Sequence, residues 1–181
     1  MKPISNYSEI KASTGEFDRP AAGGYIVELL GAVDVPFDEL KQKGAYLKID
    51  YDIAVGEFKG YYTKQYERFG GEYKTNFIRS YKEKALGMFK HFTNCLEESN
   101  PGYHWDWDER KIGGKFIGVV LGEEEYEKKD GTIGTVLKVK EIKTVEQIAN
   151  GDFKVPALKK LDNVAHVSDF VVVDDTEDLP F

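Results

Sequence analysis

The sequence predicts a mainly β chain built on a five-stranded barrel, with one helix between the third and fourth strands and a short helix after the fifth. Three observations carry this expectation. Residues 46–55 alternate, with Leu47, Ile49, Tyr51, Ile53 and Val55 on one face and Tyr46, Lys48, Asp50 and Asp52 on the other, the period of a half-buried strand. Ile78, Tyr81, Ala85, Phe89, Phe92 and Leu96 recur instead at three- and four-residue steps, which gathers them on one helix face. Residues 115–126 and 132–143 flank the charged turn Lys128-Lys129-Asp130-Gly131 and read as a hairpin.

Residues 1–23 are polar and rich in small residues, with Ser13-Thr14-Gly15 and Pro20-Ala21-Ala22-Gly23 breaking any period, so they read as an arm. The folded domain is expected over residues 24–161. Its first strand covers residues 25–33 and closes at Val35-Pro36-Phe37-Asp38, and the alternating second strand ends at Gly56. Residues 58–68, dense in aromatics and ended by Gly70-Gly71, are expected as the third strand. Asn76 is placed as the helix cap and Asn100-Pro101-Gly102 as its stop. After the hairpin, Thr144-Val145-Glu146-Gln147 has the form of a capping box, and Gly151 can end that short helix. Three strands, a helix and two strands is the element order of the OB-fold.

Composition bounds the function. The chain has 181 residues, 41% hydrophobic and 13% aromatic, ample for one core. A single cysteine, Cys95, rules out an internal disulfide framework and is read as a small core residue. With no signal-peptide pattern or membrane-length apolar run, no membrane association is expected and the cytoplasm is the natural compartment. The formal net charge is −7, but residues 1–168 hold all 25 bases and 27 of the 32 acids, so the body is nearly neutral and the excess lies in the tail.

Enzymatic readings find little support. Asp50 with Asp52, or Asp106 with Asp108, has the composition for a magnesium site, but same-face acids on a strand are more often a solvated edge. His91, His104 and His166 lack zinc spacing, and Gly113-Gly114 is too little for a phosphate loop. No catalytic residue, metal or cofactor is expected.

Binding single strands needs rings to stack bases and cations to follow phosphates. The expected third strand supplies both, with Tyr61, Tyr62, Tyr66 and Phe69 interleaved with Lys59, Lys64 and Arg68. Tyr46 and Lys48 on the second strand, Lys138 and Lys140 on the fifth, and Lys128 and Lys129 in the hairpin turn extend the candidate surface. Taken singly, each ring suits a barrel core as well. Trp105 and Trp107 sit at strand spacing and form either a stacking platform or a seal over the barrel end. Asp106 and Asp108 oppose the first reading unless paired with Arg110 and Lys111.

The end of the chain has its own character. In residues 162–181, Asp174, Asp175, Glu177 and Asp178 precede Leu179, Pro180 and Phe181, a run that cannot fold alone and reads either as a partner-captured tip or as a frayed acidic end. Asp178-Leu179-Pro180-Phe181 after an acidic run resembles the C-terminal tip of bacterial and phage single-stranded DNA-binding proteins. The chain as a whole resembles a phage-type member of that family. It departs from bacterial members in that residues 164–173 are apolar enough for another strand, where a long Gly, Pro or Gln-rich linker is usual. The resemblance implies a non-catalytic protein in a bacterial host cell. Such a protein coats single-stranded DNA in replication or recombination and recruits partner proteins through its tip. The alternative is a barrel used for protein contacts alone, such as a recombination accessory factor or clamp-binding adaptor.

Overall fold

The computed structural model describes residues 19–38 and 44–161. Five strands form one antiparallel, nearly closed barrel: β1 (Gly23–Val35), β2 (Tyr46–Ile53), β3 (Asn76–Ser80), β4 (Lys115–Glu127) and β5 (Ile133–Lys143). Their order is β3-β2-β1-β4-β5. The central strand β1 therefore carries both halves, pairing Val27 with Ile53 on one side and with Ile117 on the other. Register shifts leave Leu30 of β1 extra opposite β2 and Lys140 of β5 extra opposite Val120/Leu121 of β4, and these bulges bend β1 and β5 so that the sheet curls.

Alternation directs Val27, Leu29, Leu47, Ile49, Ile117, Val119 and Leu121 inward, all fully buried or nearly so. The helix α2 (Leu86–Ser99) lies between β3 and β4 in sequence and plugs the barrel with Phe89, Phe92, Cys95 and Leu96. Its end is pinned where expected. The Asn100 side-chain amide donates to the Leu96 and Phe116 carbonyls at 2.7 Å, while its oxygen accepts the Phe116 N–H at 2.9 Å, tying the helix to the start of β4. Cys95 is buried, and burial pushes its thiol pKa up. The capping box also forms: Thr144 Oγ1 accepts the Gln147 N–H at 3.1 Å and Gln147 Oε1 accepts the Thr144 N–H at 2.9 Å, starting helix α3 (Val145–Ala149).

Several expectations are corrected. Residues 58–68 are not the third strand: Gly60 turns the chain with φ 69° and Tyr61–Phe69 forms helix α1. The physical reason lies in β2. Asp52, expected on a polar face, is buried, and its carboxylate accepts the backbone N–H groups of Ile53, Tyr62 and Thr63 at 2.7, 3.0 and 2.8 Å. A buried carboxylate satisfying two orphan donors at a helix start, where the macrodipole favours negative charge, outweighs the β preference of the rings.

The third strand is instead Asn76–Ser80, taken from the expected helix. Phe77 pairs opposite Ile49 and faces the core, whereas Ile78 is exposed on the outer side. Asn76 does not cap a helix; its side chain donates to the Lys74 carbonyl at 3.0 Å. Residues 104–108 are not a strand either, since Trp107 adopts φ 67° and the two indoles differ in exposure. Residues 1–18 of the expected arm and all of the tail, residues 162–181, lie outside the described residues. No helix among the described residues is long and apolar enough to cross a membrane.

Candidate nucleic-acid interface

The sheet order leaves β3 and β5 as its two edges, facing one another without a hydrogen-bonded ladder. Two hollows lie along that seam. The larger, about 510 Å³, runs between residues 74–76 and residues 135–138, with Arg19, Tyr51, Tyr61 and Tyr62 completing its walls. The smaller, about 240 Å³, lies between Arg79 and residues 140–143, with Met88 and His91 of α2 beneath. Residue numbers rise together on both sides, so β3 and β5 run parallel across the gap.

The rings come from two elements. Tyr51 projects inward from β2, and Asp52 fixes the start of α1 so that Tyr62 meets Tyr51 edge-on, with centroids 5.9 Å apart at 78°. Tyr61 meets Tyr62 in the same manner at 5.3 Å and 83°. Burial pushes the Tyr51 and Tyr62 pKa values up, so both remain neutral phenols.

The cations are arranged in a distinct way. Glu124 of β4 is shared by Lys138 at 2.7 Å and by Lys140, and these two ammonium groups hold its pKa down to about 2 from an ordinary 4.5. Arg19 donates to Glu123 at 3.1 Å and to Thr135 at 2.9 Å. Lys143 lies 3.7 Å from Glu141. Lys74 and Arg79 have no ion pair among the described residues. The Arg79 guanidinium lies over the rings of Phe77 and Phe92 at 4.9 and 5.9 Å, and its buried Nε lacks a hydrogen-bond partner.

The seam thus brings together Tyr61, Tyr62, Lys138 and Lys140 among the residues expected from sequence. Lys59 and Lys64 adjoin it, because Tyr61 also lines a neighbouring hollow of about 260 Å³ that these lysines border. The other candidates stand apart. Tyr66 packs against Tyr73 with centroids 5.8 Å apart, and Arg68 lies over Phe69 at 5.2 Å, at the far end of α1. Tyr46 pairs opposite Ser80 and Val35, and Lys48 lies 3.8 Å from Asp50 on the outer face of β2. Lys128 and Lys129 are exposed at the β4–β5 hairpin tip. Trp105 and Trp107 line a separate hollow with Phe89, and the nearby acids are paired as their spacing allowed: Asp108 accepts from Arg110 at 2.8 Å and Asp106 from Lys111.

Sequence reasoning missed Arg19, Tyr51, Lys74, Asn76, Arg79 and Lys143. The usable signal was Phe77-Ile78-Arg79, whose in-out-in alternation marks a short strand once the helix start is moved past Lys82. Compared with models of protein families and with curated protein sequences, the chain matches none of them.

Proposed function

We propose that this protein binds single-stranded DNA along the β3–β5 seam, without catalysis, and that its acidic tip recruits replication or recombination proteins. The observation supporting this reading is the larger hollow, whose walls bring Tyr61 and Tyr62 together with Arg19, Lys74 and Lys138. Tyrosine faces stack bases of any sequence, and the cations exchange counterions for phosphates. The paired state of Lys138 and Lys140 sets the electrostatics: phosphates must compete with Glu124 for them, which tempers affinity without blocking it. A phage protein of this kind coats single strands during replication and recombination, with residues 174–181 as its docking peptide.

The runner-up, a protein-interaction module, draws on the same unpaired edges, because an exposed strand edge also accepts an extended peptide. An electrophoretic shift with labelled oligothymidine and with duplex DNA of equal length separates the two. A shift with the single strand alone supports the proposal. No shift with either, at low salt, supports the peptide reading.

A further inference from the structure

The two tryptophans belong to a site of different chemistry. A hollow of about 270 Å³ beside α2 is walled by Tyr81, Phe89, Trp105 and Trp107, with Asp34 and Glu109 at its margin. Phe89 organises the rings: Tyr81 meets it at 5.6 Å and 61°, Trp105 at 6.2 Å and 65°, and Trp107 stacks on it at 6.0 Å and 7°. Trp105 and Trp107 are themselves 6.0 Å apart and tilted by 59°. The hollow is therefore lined by rings set at several angles to one another.

Trp107 is the unusual member. It is 77% exposed, and it is the non-glycine residue with positive φ, at 67°, among the described residues. A bulky side chain rarely adopts that backbone, and here the consequence is a large apolar surface kept on the outside of the box.

Charge decides the ligand class. Asp106 and Asp108 are neutralised locally by Lys111 and Arg110. Asp34 and Glu109 make no direct ion pair among the described residues: Asp34 accepts the Tyr81 O–H at 2.9 Å, and Glu109 interacts with Arg110 only at longer range. Two carboxylates without a direct cation partner, beside four aromatic rings, attract a cation and repel phosphate. The volume suits a side chain and falls below that of a pocket for a larger organic ligand.

We infer that this aromatic box binds an arginine or lysine side chain presented by a protein partner. Ring faces and two solvent-accessible acids hold a lone small cation weakly, whereas a side chain carried by a partner brings flanking contacts that add to it. The inference is independent of the seam and of whether the seam takes DNA.

The test uses the full chain and its two indole N–H resonances in NMR titrations with N-acetyl-arginine amide and N-acetyl-lysine amide, with N-acetyl-glutamine amide as the neutral control. Both indoles should shift saturably with at least one cation and not with the control. Trp107→Ala, read through Trp105, and Asp34→Asn should each weaken the response, by about tenfold for the former. The first removes an exposed ring and the second changes charge at constant shape, so circular dichroism should show both folded. The inference is overturned by the absence of a saturable shift, by an equal shift with the glutamine derivative, or by an unchanged response in both folded variants. Oligothymidine producing the same saturable indole shifts would also overturn it, assigning the box to nucleic acid.

Discussion

Asp52 Oδ2 accepts the Thr63 backbone N–H at 2.8 Å, so a strand residue caps a helix that begins nine residues after it. Since Asp52 Oδ1 also accepts from Ile53 and Tyr62, one buried carboxylate joins the end of β2 to the start of α1 and sets where Tyr61 and Tyr62 stand. Replacing Asp52 by Ala should destabilise the fold by roughly 2–3 kcal/mol, as buried donors lose their acceptor. Asp52→Asn retains one carbonyl oxygen and should cost less. Urea denaturation followed by circular dichroism gives both values, and equal stability of Asp52→Ala and the parent would contradict the capping role.

Glu124 offers a pH-dependent handle. Its folded pKa is depressed to about 2 from 4.5, so the stability it contributes is fully present above the unfolded value and is lost as pH falls from 4.5 through about 2. Glu124→Gln should remove that part of the acid dependence in thermal melts between those limits. It also releases Lys138 and Lys140, so oligothymidine binding at neutral pH should tighten by about two- to tenfold. Weaker binding would argue that Glu124 positions these lysines for the strand.

Ring and cation contributions to the seam separate by salt. Tyr61→Ala should weaken oligothymidine binding by about 1–3 kcal/mol with little change in the slope of log affinity against log salt. Lys74→Ala should reduce that slope by about 0.7, one phosphate contact. Fluorescence titrations over a range of salt concentrations measure both, and identical slopes for Lys74→Ala and the parent would remove this cation from the strand's path.

Two glycines should respond with opposite signs. A Cβ on Gly118 would lie 2.5 Å from the Thr144 carbonyl oxygen and from Ile148 Cγ1, so Gly118→Ala should push α3 off β4 at a cost of about 1–3 kcal/mol. Gly87 lies within α2 and nothing stands within 4 Å of its added Cβ, so Gly87→Ala should stabilise by about 0.5 kcal/mol. Melting temperatures moving in the same direction would contradict this reading of the packing.

The elements legible in the sequence are those whose periodicity agrees with their local chemistry. The alternation from Leu47 to Ile53, the β4–β5 hairpin and the Thr144 capping box are of this kind, and all three form. The middle of the chain was misread because two preferences compete there. The tyrosines of residues 61–66 favour a strand locally, but the acceptor that starts their helix, Asp52, lies on another element, so no local window contains it. Conversely, the spacing of Ile78 and Tyr81 continues the helical period of α2, although Phe77 is held in register opposite Ile49 by β2. The candidate site was half legible for the same reason. Tyr61, Tyr62, Lys138 and Lys140 were found by residue type, whereas Arg79 and Lys74 join them only once β3 is known to face β5.

Titration of intrinsic tyrosine fluorescence with oligothymidine at low salt tests the central claim most directly, using the parent chain and the double variant Lys74→Ala, Lys138→Ala. Binding along the seam requires saturable quenching in the parent that weakens with added salt and falls by at least about tenfold in the variant, as two phosphate contacts are lost. A flat titration of the folded parent, or equal affinity in parent and variant, would contradict single-strand binding at this seam.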